Sequence, residues 1–215
     1  MYWIDTYADK YQKTQGFEIT IIDKDNVKLN AYMSFNQSTR STYDLAMREA
    51  TIDGLVTMAD ISKLKISQIF YKNVAPQELF IIQAINKSEQ QPKSKNINAI
   101  KQNSSVTVYR KQYNPETRKE EYMPIYEDII SFVSIQHKDE KNFNAGVEEN
   151  SIYNIQIPRK DIVKDTFYDV KHLDRIILKD LRNSREDKIK IESIDGYGVS
   201  GMLRIEGTLD TRTGE

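Results

Sequence analysis

Three short features of this chain have residue types that could support chemistry. The first, Gly196–Gly201, fits the G-x-G-x-x-G pattern that binds dinucleotide phosphates. That pattern requires a strand before it and a helix after it. Here the next segment, Met202–Leu209, alternates apolar and polar residues as a strand does. The pattern therefore predicts a glycine-rich turn between two strands, without a nucleotide.

The second and third features also lack the partners that their chemistry needs. Ser62–Lys65 fits S-x-x-K, but the K-T-G and S-D-N elements that accompany it in acylating enzymes are missing. The histidines, His137 and His172, have no second histidine at metal-ligand spacing, and cysteine is absent. A Ser-His-Asp arrangement stays open from sequence alone, although no nucleophile elbow marks one. We predict no catalytic residues, no metal and no cofactor, and a protein that is not an enzyme.

The composition limits the classes of function and the cellular compartment that we expect for this chain. The chain has 215 residues, of which 39% are hydrophobic and 29% charged, and its net charge is −1 from 31 basic and 32 acidic residues. A near-zero charge argues against a protein that coats nucleic acid. No run reaches the roughly 18 apolar residues of a membrane helix, and the N-terminus lacks the pattern of a signal peptide. We expect assembly in a reducing cytoplasm and no membrane partner.

Short alternating segments dominate the chain and predict its fold class. About twelve strands with few helical patterns indicate a mainly β protein of two small β-barrel or β-sandwich domains. The segment 87–104, which is rich in Asn, Gln, Lys and Ser, is typical of a linker. The predicted organisation is an N-terminal arm (1–16), a first domain (17–86) with a long inserted loop (36–53), the linker (87–104) and a second domain (105–215).

The second domain begins with the clearest hairpin. Ser105–Ile125 alternates into an Asn-Pro turn and out again. Its tip predicts an exposed contact loop, with Tyr113 and Arg118 as candidate subunit or partner contacts.

Two other segments are candidates for contacts outside the domains. Trp3, Tyr7 and Tyr11 recur at four-residue spacing, so a short helix would place them on one face. They could pack locally or dock on a neighbouring subunit. The loop 36–53 is long for a small β domain. It could be solvated, or could line or gate a channel with its charged residues Arg40, Asp44, Arg48, Glu49 and Asp53.

A strand–loop–strand unit occurs twice in the sequence. Leu64 and Ile82 are separated by the same 18 positions as Leu173 and Ile191. Each second strand then reads Ile-x-x-Ile followed by Asn or Asp. This spacing suggests one such unit per domain.

Seven segments of the C-terminal half together resemble the minor capsid or head–tail connector proteins of tailed bacteriophages of low-GC Gram-positive bacteria. The segments are Val106–Tyr109, Tyr113–Lys119, Ile129–Ile135, Ser151–Pro158, Leu173–Lys179, Ile191–Asp195 and Met202–Gly207. The N-terminal half is more loosely similar to head-closure (stopper) proteins, in its barrel pattern and its inserted loop.

This resemblance implies a mechanical function in the virion. Copies would form a homo-oligomeric ring in the neck, between the portal or adaptor on the head side and the tail terminator or tail tube on the tail side. Genome DNA would pass through the channel without sequence-specific binding, and the loop 36–53 would help retain or gate it. Two alternatives stay open: another tail component (a tail terminator, tube or hub protein), or a carbohydrate- or cell-surface-binding β module. The 13 tyrosines and one tryptophan motivate the latter.

Overall fold

The computed structural model describes residues 16–36, 50–73, 77–86, 94–137, 151–181, 183–196 and 201–210. Contacts divide the chain into two compact units. One comprises Met1–Gln102, Pro158–Phe167 and Val199–Met202, and the other comprises Asn103–Ile157, Tyr168–Gly198 and Leu203–Glu215. The predicted class is confirmed, because each unit contains a six-stranded antiparallel β-barrel. No helix in the described part of the chain is long and apolar enough to cross a membrane.

The N-terminal barrel closes in the order β1-β2-β3-β6-β5-β4, since β4 pairs back onto β1. Alternating residues of these strands turn inward, and Ile19, Ile21, Phe70 and Phe80 are fully or almost fully buried. The rings of Phe70 and Phe80 stack with their centroids 5.1 Å apart. The strands are β1 (Phe17–Ile22), β2 (Lys28–Asn36), β3 (Thr51–Thr57), β4 (Ile69–Lys72), β5 (Leu79–Asn86) and β6 (Ser94–Lys101), with 3-10 turns at Lys24–Asn26 and Ile61–Lys63.

The C-terminal barrel contains the predicted hairpin. Its first two strands pair from Ser104 to Asn114, so the hairpin at Ser105–Ile125 is confirmed, and the turn lies at residues 115–118. The remaining elements are β7 (Ser104–Asn114), β8 (Lys119–His137), β9 (Ser151–Pro158), the small hairpin β10 (Lys160–Asp161) and β11 (Thr166–Phe167), β12 (Arg175–Asp180), β13 (Glu186–Asp195) and β14 (Met202–Leu209). The barrel closes in the order β12-β13-β14-β9-β8-β7.

The two barrels have the same topology. Numbering the strands within each barrel gives 1-2-3-6-5-4 in both cases. A β-bulge follows Ile82 in β5 and Ile191 in β13, at equivalent places in the two barrels. The strand pairs β4–β5 and β12–β13, which carry the two units found in the sequence, therefore occupy the same position in each barrel.

The structure corrects the predicted linker at 87–104. Residues 94–101 form β6, which pairs with β3 on one side and with β5 on the other. The composition of the segment resembles a linker because it contains many Asn, Lys and Ser residues. However, its residues Ile97 and Ala99 face the interior of the barrel and are buried. Residues 87–93 lie outside the described part of the chain.

A second correction concerns the strand predicted from Leu64. The strand begins only at Ile69, because Ser67 has a positive φ of 68° and interrupts the extended backbone. The Ser67 hydroxyl donates to the Gly201 carbonyl at 2.5 Å. Gly201 itself has a φ of +76°, and a Cβ there would lie 3.1 Å from the Gln83 carbonyl oxygen, so glycine is required.

Candidate interaction surface

The hairpin β7–β8 extends beyond the barrel to which it belongs. β12 pairs with β7 only as far as Tyr109, and β9 pairs with β8 only from Phe132 onward. The segments Arg110–Asn114 and Lys119–Met123 pair with each other, and neither pairs with any other described strand. These two segments and their turn are called the ribbon below. Both edges of the ribbon carry backbone groups that no strand in the described part of the chain satisfies.

The N-terminal barrel shows that barrel closure does not require a ribbon. The shared topology and register place Ile21 at the position of Val108, and their partners Leu29 and Tyr126 are likewise equivalent. Seven residues (22–28) connect the first pair, whereas seventeen (109–125) connect the second. Barrel closure therefore does not account for the additional length of the C-terminal hairpin.

An ion-pair network fixes the root of the ribbon. The Arg110 guanidinium donates from Nε and Nη2 to the two carboxylate oxygens of Asp174, both at 2.8 Å. Nη2 also donates to the backbone carbonyl of Asp169, at 2.5 Å. The Asp174 side chain is only 1% exposed, and its hydrogen bond holds the pKa of Arg110 above its ordinary value. A bidentate pair of this kind fixes direction as well as distance.

Two aromatic contacts reinforce the same root. The rings of Tyr126 and Tyr168 meet edge to face with centroids 5.0 Å apart. The Tyr126 hydroxyl accepts a hydrogen bond from the Asp169 backbone N–H at 3.0 Å. The Arg175 guanidinium lies 4.0 Å from the centroid of the Tyr122 ring. The ribbon is therefore held at its base by side chains of β8, β12 and the segment before β12.

Cross-strand pairs order the ribbon along its length. Lys111 Nζ lies 2.8 Å from Glu120 Oε2, and this hydrogen bond lowers the pKa of Glu120 and raises that of Lys111. Glu121 accepts from the Thr117 hydroxyl at 2.6 Å and from Asn114 Nδ2 at 2.8 Å, and these two bonds lower its pKa.

The turn is closed locally. The Asn114 side-chain oxygen accepts the Glu116 backbone N–H at 2.9 Å, which forms an Asx turn. Arg118 then adopts a left-handed conformation with a φ of 56°.

The ribbon exposes two large side chains. Tyr113 is 63% exposed and Met123 37% exposed, although both are large and partly apolar. Tyr113 lies on the same ribbon face as Tyr109, because the two alternate with Arg110 and Gln112 along β7. An arm that is fixed at its root and exposes a tyrosine is suited to binding a partner, since the fixed root reduces the conformational entropy lost on contact.

The predicted site residues that the structure describes lie in two different places, the ribbon and β3. Tyr113 and Arg118 are exposed on the ribbon, at its tip, as expected of a contact loop. Asp53 is not in a loop: it lies within β3, where its carboxylate accepts a hydrogen bond from Asn98 Nδ2 at 2.7 Å. The remaining candidates lie outside the described residues: Trp3, Tyr7, Tyr11, Arg40, Asp44, Arg48 and Glu49.

The residues that fix the ribbon, Arg110, Asp174 and Arg175, carry no signal in the sequence pattern. Arg110 and Asp174 are 64 positions apart, and no spacing rule joins charges across a barrel. The alternation of apolar and polar residues gives no indication that Arg110 or Asp174 belongs to a site.

The motifs with possible chemistry have structural roles where they are described. Met202–Leu209 forms β14, as predicted, so the segment after Gly196–Gly201 is a strand. Ser62 donates from its backbone and its hydroxyl to the Asp60 carboxylate in the 3-10 turn. His172 is exposed, and the side chain of His137 lies outside the described set. Within the described ranges, no group of three or more His, Cys, Asp or Glu residues could hold a metal ion.

Comparisons with known proteins give little. No family model matches the chain, and no curated protein matches it. Among solved structures, it is similar to MrkH, described as a c-di-GMP-dependent transcription regulatory factor, at 9% identity and a TM-score of 0.22, over 98% of this chain and 83% of that one. A structure of K. pneumonia MrkH gives 9% identity and a TM-score of 0.23, over 98% and 84%. At these scores the likeness carries no argument.

Proposed function

We propose that this chain is a structural virion protein that forms a ring in the neck of a tailed bacteriophage. The observation that carries this proposal is the ribbon, an arm that extends beyond a closed barrel, is fixed at its root by the Arg110–Asp174 pair and is not needed for barrel closure. The resemblance of the C-terminal segments to head–tail connector proteins supplies the setting.

The barrels suit such a role physically. A closed barrel has no free sheet edge, so it can be packed at high local concentration without uncontrolled strand pairing. Contacts made by strand pairing are then restricted to elements that extend beyond the barrel. In this chain the ribbon is such an element, and its fixed root reduces the entropic cost of binding a neighbouring subunit.

The charge balance suits a channel that DNA must traverse. With a net charge of −1, the chain offers no broad positive field to grip phosphates. In this proposal genome DNA passes without sequence-specific binding. The ring contacts the portal or adaptor on one side and the tail terminator or tail tube on the other. In this proposal Arg40, Asp44, Arg48 and Glu49 of the loop 36–53 are the candidates for retaining or gating the DNA.

Electron microscopy of virions tests the proposal. An insertion of a small tag protein at the ribbon turn, between Glu116 and Thr117, should add density in a ring at the head–tail junction. The matched control carries the same tag in the turn after β10, next to Lys164, which is exposed. Particles that lack this protein altogether, as judged by mass spectrometry, would refute the proposed function.

The exposed Tyr113 favours one rival, a carbohydrate- or cell-surface-binding module. Tyrosine rings stack on sugar faces as they do on protein surfaces. A glycan array separates the two functions: binding that is lost in Tyr113→Ser would support the module, whereas an array without hits would remove it. Another tail component would give ring density at a different height along the particle.

A further inference from the structure

We propose that the ribbon pairs edge to edge with the ribbon of a second copy of this chain, with β7 of one copy against β8 of the next. This inference rests on the proposed ring function and names the contact that would hold the ring together.

The ribbon is incomplete as an isolated sheet. A two-stranded antiparallel pair is marginal in water, and three or more strands are normally needed for independent stability. The N-terminal segment of the ribbon, Arg110–Asn114, and its C-terminal segment, Lys119–Met123, each have one unpaired edge among the described strands. Adding a strand to each edge would satisfy these backbone groups.

The charges on the two edges favour unlike pairing. Arg110–Asn114 contains two basic residues and no acidic one, whereas Lys119–Met123 contains Glu120 and Glu121 beside one lysine. Pairing β7 with β7 would gather lysines and arginines on one small sheet, and pairing β8 with β8 would gather four carboxylates. Pairing β7 with β8 of the next copy places the basic edge beside the acidic edge.

Pairing of β7 with β8 of the next copy also keeps the sheet antiparallel. β7 and β8 are antiparallel, so ribbons that point the same way give the order β7-β8-β7-β8, antiparallel throughout. Such a head-to-tail contact is heterologous, and it forms a closed ring when the rotation between copies closes. A closed ring of ribbons has no remaining edge.

The part of β8 between the ribbon and the barrel is protected against pairing with a strand of another copy. Pro124 follows the ribbon on β8 and has no N–H to donate, and Asp128 has a positive φ of 50° where β8 bulges against β7. Pairing on the β8 edge is therefore limited to Lys119–Met123, which matches the length of the free edge on β7.

Disulfide cross-linking between two variants tests this arrangement, because the chain has no cysteine of its own. One protein carries Gln112→Cys on β7, and the other carries Glu121→Cys, Lys119→Cys or Met123→Cys, on the same face of β8. Copper-catalysed oxidation of the mixture should give a mixed disulfide in at least one pair, about tenfold more abundant than either homodimer, since bridging requires Cα atoms within about 7 Å.

Val27→Cys is the matched control, because Val27 is 51% exposed next to the shorter β1–β2 turn of the N-terminal barrel. A mixture of Val27→Cys with Glu121→Cys should cross-link only at the background rate. Homodimers of Gln112→Cys in excess of the mixed product would overturn the proposal in favour of a two-fold contact. Cross-linking at the control rate in all pairs would overturn it as well.

A charge exchange gives a second readout. Lys111→Glu and Glu120→Lys should each shift the protein toward monomer in light scattering, and mixing the two single variants should restore assembly, because each then meets the complementary edge of the other. Assembly that is unchanged in both single variants would contradict the proposal. These measurements use the purified protein, whereas the neck location is tested on virions. A ring at the neck without cross-links would therefore refute the ribbon pairing alone, and cross-links without virion incorporation would refute the neck function alone.

Discussion

Arg110 and Asp174 form a bidentate ion pair, with Nε–Oδ1 and Nη2–Oδ2 both at 2.8 Å, that joins the ribbon to the segment before β12. Asp174 also accepts the Lys171 backbone N–H at 2.8 Å, so both of its oxygens have partners. The pair lies where β7 leaves the barrel, since Tyr109 is the last residue of β7 that pairs with β12. It therefore sets the direction of the arm.

Asp174→Ala should lower the free energy of unfolding by about 2 kcal/mol, because it leaves the half-buried Arg110 guanidinium without its main partner. Urea denaturation followed by circular dichroism measures the change. Glu120→Gln is the control on the same ribbon, since its partner Lys111 is exposed, and it should leave the urea midpoint almost unchanged. Equal midpoints for the two variants would show that the Arg110 pair does not stabilise the fold.

Gly207→Ala should destabilise the C-terminal barrel by about 2 kcal/mol, because overpacking of a closed core forces backbone shifts. A Cβ at this position would lie 2.4 Å from Ile189 Cγ2 and 2.6 Å from the Lys190 carbonyl oxygen. Gly196→Ala is the comparison, since its Cβ would have only an ordinary contact of 3.6 Å with Leu203 Cδ1. Thermal unfolding of both variants checks the difference, and equal melting temperatures would contradict the predicted clash.

Glu78 should make the fold sensitive to acid. Its hydrogen bond with Lys101 lowers the pKa of the Glu78 carboxyl below its ordinary value of 4.5. A carboxyl with a lowered folded pKa stabilises the fold above its unfolded pKa, and the contribution disappears as the pH falls through the folded pKa.

The wild type should therefore be more stable than Glu78→Gln at about pH 6 and should lose this advantage by about pH 3. Urea titrations of both proteins at several pH values measure the difference. A gap that stays constant over this range would show that the charge on Glu78 does not contribute.

Arg118→Gly should stabilise the isolated chain by up to about 1 kcal/mol, because the left-handed φ of 56° strains any residue with a Cβ. If Arg118 contacts a neighbouring subunit, the same change should weaken assembly in light scattering. The control is Arg118→Asn, which tolerates this conformation but keeps a polar side chain. A loss of monomer stability in Arg118→Gly would refute the strain at this turn.

The sequence was informative wherever strands and turns are local. Alternation and the Asn-Pro turn predicted the β7–β8 hairpin, because its register is set by the turn itself. The repeated Ile-x-x-Ile pattern at Ile82 and Ile191 lies in strands that hold equivalent positions in the two barrels, whereas Leu64 and Leu173 lie before β4 and β12. These features depend on residues that are close together in the sequence, so they can be predicted from a single sequence.

The features that were missed depend on distant partners. β6 was predicted as a linker because Asn96 and Lys95 suggested a solvated segment, whereas its stability comes from pairing with β3 and β5 on its two sides. Asp53 was placed in a channel loop, although its hydrogen bond to Asn98 joins residues 45 positions apart. The ion pair between Arg110 and Asp174 at the root of the ribbon was missed for the same reason. The register between strands that are not adjacent in sequence cannot be derived from a single sequence.

The composition of the N-terminal unit has a consequence for the order of events during synthesis. All six strands of its barrel have left the ribosome once Lys101 has emerged, yet the unit also includes Pro158–Phe167 and Val199–Met202. The hydrogen bond from Ser67 to Gly201 cannot form until Gly201 has been synthesised. The N-terminal barrel therefore gains its last contacts only after strands β7–β13 have been synthesised.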